Sequence, residues 1–377
     1  MKFAVIGGGV SGVTFAISRK RNHPEDEVLI FEHTDKLLKK VLATGNGKCN
    51  IANSGEVNYS NELARNIINK YNYENQNKFL DSLNIKTKLI GNLSYPISES
   101  AATVRNAFLK ELDRLGIKVI TNCNLTDYHQ KEAGYVLKTN LGDYQVDSII
   151  FAVGGKSLPK SGSDGSILPI LKSHHYHINE LVPALCPIYT KEKTKILDGT
   201  RVKAKVIVKS DNKNIFEESG EVLFKEKGLS GIVIFNASRI IAHDLSKKYN
   251  IELDLLPDVS IEELQVFYKK NNKQTLLESY LHPNLVKYLE NSNDVIKDIK
   301  SLSFTFDKLY GFENSQISVG GVSLSGLNNN LESKLEKNIY FAGELIDIDA
   351  PCGGYNLMWA IGSGLYLSDI IKQSLDF

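Results

Sequence analysis

Six residues near the start of the chain, Gly7-Gly8-Gly9-Val10-Ser11-Gly12, restrict the fold more than any other stretch of its 377 residues. They spell G-x-G-x-x-G between Lys2 to Ile6, an apolar run that reads as a strand, and Val13 to Arg21, which reads as a helix. Val28 to Glu32 then supplies a second short strand that ends in an acid. A βαβ unit with glycines at its first turn lets the backbone approach a pyrophosphate and lets helix and strand pack closely. The helix N-terminus stabilises phosphate charge, and Glu32 stands about twenty residues past the last glycine, where an acid accepts hydrogen bonds from ribose hydroxyls. A glycine-rich turn with no ligand needs neither helix nor acid, so the combination favours dinucleotide binding.

Two further segments share that character. Lys39-Lys40-Val41-Leu42-Ala43-Thr44-Gly45-Asn46-Gly47-Lys48-Cys49-Asn50-Ile51-Ala52-Asn53 follows the second strand and is dense in glycine, amides and cations, a composition suited to wrapping phosphates and ribityl hydroxyls. This points past NAD to FAD. Near the other end, Phe341-Ala342-Gly343-Glu344-Leu345-Ile346-Asp347 runs an apolar strand into an acidic turn, and Pro351-Cys352-Gly353-Gly354-Tyr355-Asn356-Leu357 steps through two glycines into an apolar helix. A carboxylate and a helix N-terminus at one ligand, paired with a glycine motif some three hundred residues upstream, imply that both ends of the chain close around one large cofactor.

Bulk composition bounds the partners. Lys and Arg number 45 against 44 Asp and Glu, so no global field gathers nucleic acid or an anionic membrane. The four cysteines, Cys49, Cys123, Cys186 and Cys352, are far apart and form no CxxC pair, which argues for reduced thiols and against zinc. His174, His175 and His177 suit no single helical face and lack a carboxylate cluster, so they read as a surface turn and no metal site is expected. Phe3 to Ile6 is too short for a signal-peptide core, and no segment has the apolar length to span a bilayer. The expectation is a cytoplasmic protein with a small-molecule substrate and no membrane partner.

Along the chain, Asn61 to Leu83 and Ser98 to Leu115 read as amphipathic helices, and Lys118 to Ile120, Gly134 to Thr139 and Tyr144 to Val153 as strands, the last continuous enough for a central parallel position. After Pro183 the texture changes. Lys203 to Val208 and Glu221 to Phe224 alternate in polarity and are separated by Asp198-Gly199 and Asp211 to Asn214, which predicts antiparallel hairpins. From Ser260 to about Leu302 the spacing of Ile261, Leu264, Phe267 and Tyr268 predicts a small helical lobe, and Gln316 to Gly321 returns to the first domain.

At this point the chain resembles a known family. Ala43 to Asn50, Ile150-Phe151-Ala152-Val153-Gly154-Gly155-Lys156-Ser157 with Pro159, Gly162 and Gly165 behind it, and Gly343-Glu344 with Gly353 to Asn356 are similar to the HI0933-like flavoproteins of the glutathione-reductase-like superfamily. Tyr95 to Ser98, Pro183 to Leu185, Gly228 to Gly231, Gly320 to Val322 and Glu332 to Lys334 match in order, so the likeness spans nearly the whole chain.

The resemblance implies an α/β fold in which a Rossmann-type FAD-binding domain, residues 1–184 and 319–377, is interrupted by a β-rich, barrel-like domain, 185–258 and 303–318, and a helical lobe, 259–302. It places Gly7, Gly9 and Gly12 under the pyrophosphate, Glu32 at the adenosine ribose and the Leu125 backbone at adenine. Lys40 and Gly45, Asn46, Gly47, Lys48, Cys49 and Asn50 would follow the pyrophosphate and ribityl chain, with Gly154 at the crossing between domains. Gly343 and Glu344 would approach the ribityl and phosphate region, and Gly353, Gly354, Tyr355, Asn356 and Leu357 the isoalloxazine. Three positions depart from the family: Leu38 or Lys39 where glycine is common, Lys48 for arginine, and Lys225-Glu226 for Thr-His.

The function implied is a FAD-dependent oxidoreductase passing two electrons between an amine or unsaturated carbonyl compound and NAD(P)H or oxygen. No second G-x-G-x-x-G is present, so NAD(P)H, if used, would dock transiently. Cys49 and Cys352 could modulate the flavin, although small packing residues are the simpler reading. Two alternatives are an RNA-modifying flavoprotein that uses Lys203, Lys205, Lys209, Lys213, Lys225 and Lys227 as a basic face, and a flavin-binding sensor. The sequence names no catalytic acid or base and no oligomeric state.

Overall fold

Apolar runs become buried strands in the computed structural model, which describes residues 1–56, 59 and 61–371. A five-stranded sheet is ordered Ile339–Phe341, Ser148–Phe151, Lys2–Ile6, Glu27–Phe31 and Lys118–Ile120, and every pair in it is parallel. Phe3, Ala4 and Val5 in its central strand, and Ile149, Ile150 and Phe151 beside them, have no exposed surface, which is why these strands read as unbroken apolar runs. The first strand lies between the second and the Ser148–Phe151 strand, so strand order reverses at the glycine turn. In an open parallel sheet that switch point is where a ligand binds, outside the carboxyl ends of the strands.

The chain divides into two compact units, Met1–Leu181 with the segment from Ile317 onward, and Val182–Gln316. Within the first, the N-terminal helix Val10–Asn22 packs against the C-terminal helix Tyr355–Ile370. Their approach is close enough that a Cβ on Gly364 would lie 2.6 Å from the Ser11 carbonyl oxygen. Arg19, fully buried, bonds Asp26 through Nε at 2.5 Å and the Ile371 carbonyl through Nη1 at 2.5 Å.

Two predicted elements are divided. The span from Asn61 to Leu83 is two helices, Glu62–Lys70 and Tyr73–Ser82. Tyr71 leaves helical geometry at φ −108°, ψ 57°, and the Asn72 side chain accepts the Asn75 N–H to cap a new helix. The run from Tyr144 to Val153 also splits. Gly142–Val146 closes an antiparallel three-stranded sheet with Leu125–Gln130 and Tyr135–Thr139, and only Ser148–Phe151 enters the parallel sheet. Asp147 makes the crossing, its N–H bonding the Lys2 carbonyl at 2.8 Å while its carboxylate accepts the Lys2 N–H at 2.7 Å.

The second unit has its own apolar core in a closed six-stranded barrel. Arg201–Ser210 and Lys213–Lys225 form its long hairpin, turning at Asp211 and Asn212, whose φ values of 49° and 63° suit a tight two-residue turn. Ala204, Val206 and Val208 point inward between outward lysines. Four short helices, Ile261–Lys270, Lys273–Tyr280, Pro283–Leu289 and Val295–Lys300, are capped in turn by the side chains of Ser260, Asn272, His282 and Asp294. Among the described residues no helix is long and apolar enough to cross a membrane.

Candidate cofactor site

At Gly7 and Gly12 the glycine turn admits no side chain. A Cβ on Gly7 would lie 2.6 Å from the Ala152 carbonyl oxygen, and one on Gly12 would lie 2.3 Å from the Gly7 carbonyl oxygen. Gly9 caps the helix without a side chain and the first turn holds no acid, so the leading N–H groups are left for an external anion. Glu32 is buried beside them, accepting the Gly8 N–H on Oε2 and the Thr34 N–H on Oε1, both at 2.8 Å. Its carbonyl accepts the Cys123 N–H at 3.0 Å, which brings the backbone leading into Leu125 to the same edge. The loop behind Pro159 passes over the acid, for a Cβ on Gly162 would lie 3.7 Å from Glu32 Oε1.

The next cluster joins segments more than three hundred residues apart. Lys40 Nζ bonds Glu344 Oε2 at 2.6 Å and Ser157 Oγ at 2.5 Å. Glu344 Oε1 accepts the Ser318 N–H at 2.9 Å and the Ser157 hydroxyl at 3.1 Å. Cβ atoms on Gly155 and Gly154 would lie 3.0 Å and 3.9 Å from the Glu344 carboxylate. Gly343, at φ 68°, leaves room for Ser11 Oγ only because it lacks a side chain. Its N–H bonds Ser363 Oγ at 3.0 Å and its carbonyl accepts the Trp359 indole at 2.9 Å, so the acidic turn is fixed by both terminal helices. Sequence reasoning gave no role to Ser157 or Ser318. Ser318 stands in the otherwise apolar strand Ile317–Val322, and that isolated polar residue was the available signal.

In the loop after the second strand, Gly45, Asn46, Gly47 and Cys49 have φ of 54°, 53°, 84° and 59°, a left-handed path that explains its glycine and asparagine content. Leu38 is also left-handed, at φ 59°, a conformation that glycine adopts at no steric cost. Lys48 turns out of the line to pair with Glu99 at 2.8 Å, while Lys88 pairs with the other Glu99 oxygen at 2.5 Å. Burial pushes the Cys49 thiol up to about 11, against the opposing hydrogen bond to Thr44, so it is a packing group at neutral pH.

Asn50 faces the other terminal segment: a Cβ on Gly354 would lie 3.0 Å from its side-chain amide and 2.7 Å from the Ala52 carbonyl. Asn53 donates to the Gly353 carbonyl at 2.8 Å, and Asn356 clasps Ala350 through both its amide atoms at 2.8 and 3.0 Å. The Tyr59 hydroxyl donates to the Tyr355 carbonyl at 2.5 Å. These bonds fix the first turn of the C-terminal helix, which, like the N-terminal one, has a glycine cap and no acid. Leu357 packs half-buried against the core of the unit. In sequence through space, the first unit thus brings together the buried Glu32 carboxylate, an uncapped glycine turn, a lysine–carboxylate–serine cluster and a second uncapped helix. Those groups fit FAD.

Outside this line, His174 stacks on Tyr128 with centroids 3.8 Å apart and sits 3.0 Å from Asp127 and 3.4 Å from Glu336, so it is tied into the fold as well as lying in a turn. On the lysine face of the second unit, Lys205 pairs with Glu217 at 2.6 Å and Lys209 with Glu252 at 2.8 Å, and neighbouring Arg201 pairs with Glu221.

The family model described as "HI0933-like protein Rossmann domain" matches residues 1–369. A 3-dehydro-bile acid delta(4,6)-reductase of Clostridium scindens is 31% identical over 96% of this chain and 97% of its own. A ribosomal RNA dihydrouridine synthase of Haemophilus influenzae is 23% identical over 95% of each chain. A quinol-fumarate reductase solved with menaquinol molecules shares the fold at a TM-score of 0.50 and 10% identity, over 98% of this chain and 70% of that one.

Proposed function

The chain belongs to the HI0933-like family and is a FAD-dependent oxidoreductase, and we propose that it reduces a carbon–carbon double bond conjugated to a carbonyl in a small organic substrate, with NAD(P)H as transient donor. The observation that carries this reading is the full-length likeness to a delta(4,6)-reductase of a 3-dehydro acid, whose name describes such a conjugated system. The more distant dihydrouridine synthase saturates a ring double bond that is likewise conjugated to a carbonyl. FAD, when bound, supplies the two-electron hydride chemistry. For its part the chain would hold the cofactor through Glu32 at the ribose, the uncapped turn Gly7 to Gly12 at the pyrophosphate, and Lys40, Ser157 and Glu344 beyond it. Asn53 and Asn356 lock the first turn of the C-terminal helix, whose N–H groups favour nearby negative charge by ~0.3–1 kcal/mol.

RNA is the second reading, supported by the synthase likeness. Against it, Glu217 and Glu252 already pair with Lys205 and Lys209, two of the six lysines that would meet phosphates. Anaerobic reduction by NADH or NADPH, followed by mixing with enones, primary amines, oxygen or a uridine-rich ribosomal RNA fragment, separates the readings. Reoxidation by enones with release of the saturated ketone is the expected result. Flavin reduction by amines with no response to enones would overturn the reading, and turnover confined to RNA would replace it with the second.

A further inference from the structure

Polar atoms from three segments converge on Gly55. A Cβ there would lie 3.4 Å from Tyr355 Oη, 3.0 Å from Asn53 Oδ1 and 3.0 Å from Asn92 Nδ2. The Tyr355 ring reaches this point past Gly353, where a Cβ would stand 3.8 Å from its Cε2 and 3.4 Å from Leu93 Cδ2. It therefore runs alongside the turn that opens the C-terminal helix. Three bonds hold its backbone: Tyr59 to its carbonyl, Asn53 to the Gly353 carbonyl, and Asn356 to Ala350. Tyr59 and Asn53 are thereby engaged, whereas the half-buried Tyr355 has no hydrogen-bond partner for its hydroxyl among the described residues.

We propose that Tyr355 is the acid that protonates the α-carbon of the reduced double bond, an inference that rests on the enone-reducing function above. Hydride addition at the β-carbon, with reduced FAD as the two-electron donor and NAD(P)H its source, breaks the π bond and leaves an enolate. The O–H bond of Tyr355 then breaks, its proton forms the new C–H bond at the α-carbon, and the phenolate recovers a proton from water on the side of exposed Glu56. Partial burial, with the Glu56 charge adding to it, pushes the Tyr355 phenol above its ordinary value, so it is protonated and ready to donate at neutral pH. Tyr59 is excluded because its hydroxyl is committed to the Tyr355 carbonyl. Tyr95, whose ring flanks Gly45, where a Cβ would be 3.6 Å from Cε1, is the rival that the test separates.

The test uses the FAD-loaded full chain and its Tyr355→Phe and Tyr95→Phe variants, with cyclohexenone and nitrocyclohexene as oxidants of the reduced enzyme. The nitroalkene leaves as a nitronate and needs no proton on carbon during hydride transfer. Tyr355→Phe is expected to bind FAD and the saturated ketone as the wild type does, to melt at the same temperature and to be reduced by NAD(P)H normally. Its reoxidation by cyclohexenone should fall by ~10²–10⁴-fold, the usual worth of a positioned acid, while nitrocyclohexene reoxidises it at close to the wild-type rate. Equal losses with both oxidants, weakened FAD binding, an unchanged enone rate, or a loss confined to Tyr95→Phe would each overturn the proposal. A wild-type enzyme that no enone reoxidises would instead sink the enone reading, and this assignment with it.

Discussion

At the scale of single residues, the most demanding electrostatics lie away from the cofactor line. Asp26 and Arg19 are both fully buried, and the Asp26 carboxylate takes Arg19 Nε on one oxygen at 2.5 Å and the Met1 amine on the other at 2.6 Å. Burial alone would raise the Asp26 carboxyl, but the hydrogen bonds and charges of the Met1 amine and Arg19 outweigh it and hold the group below the usual carboxylate range. A depressed folded value means that this stabilisation is present above the unfolded value of ~3.9 and is lost as pH falls through the folded one. Asp26→Asn strands the Arg19 charge and should cost about 3–5 kcal/mol, read as a lowered urea midpoint in Trp359 fluorescence. A loss under about 1 kcal/mol would mean that the Ile371 and Ser368 carbonyls suffice for Arg19. Legibility at this scale followed backbone demand. Gly7, Gly12 and Gly45 were visible because no other residue fits their contacts or φ, whereas the outward turn of Lys48 depends on Glu99, fifty-one positions away, and nothing local to Lys48 announces it.

Among elements, the crossing of the two terminal helices decides whether the cofactor line stays aligned. A Cβ on Gly364 would meet the Ser11 carbonyl oxygen at 2.6 Å, the Phe15 nitrogen at 3.0 Å and Thr14 Cβ at 3.1 Å, two backbone atoms and a Cβ that cannot rotate away. Gly364→Ala should therefore destabilise by ~1–3 kcal/mol as the helices part. Ser11 also abuts Gly343, and Trp359 on the same C-terminal helix holds the Gly343 carbonyl, so the separation should displace the turn that carries Glu344 and weaken FAD binding, measured by flavin fluorescence on titration. Lost stability with unchanged FAD affinity would show that the turn is held independently of the crossing. The apolar strands and the βαβ start were readable because burial on both faces writes continuous runs. Where one run served two sheets, as in Tyr144 to Val153, hydrophobicity could not mark the crossing, since Asp147 turns the chain through hydrogen bonds to the distant Lys2. The break at Tyr71 was hidden for a related reason. The apolar spacing runs through it, and only the Asn72 cap, an ordinary polar residue in a polar stretch, marks the restart.

For the whole molecule, the change of texture after Pro183 and the return near Gln316 adjoin the limits of the second unit, Val182 and Gln316, because a barrel strand with one wet face alternates where a central parallel strand does not. Each unit has its own apolar core, and every residue assigned to the cofactor belongs to the first. The chain's one tryptophan, Trp359, is also in the first unit and is buried there, so its fluorescence reports the unfolding of that unit. A ligand that binds only the folded first unit stabilises it by RT ln(1 + [L]/Kd), about 2.7 kcal/mol when free FAD is about 100 times its Kd. The Trp359 transition in urea should therefore move to higher denaturant by that amount as FAD is added. Amide exchange in the barrel strands Arg201–Ser210 and Lys213–Lys225 is governed by opening of the second unit and should keep its rate under the same conditions. If the barrel amides gain the same protection as Trp359, the two units unfold as one cooperative body; if Trp359 fails to shift while flavin is bound, the cofactor is held by residues other than those of the first unit.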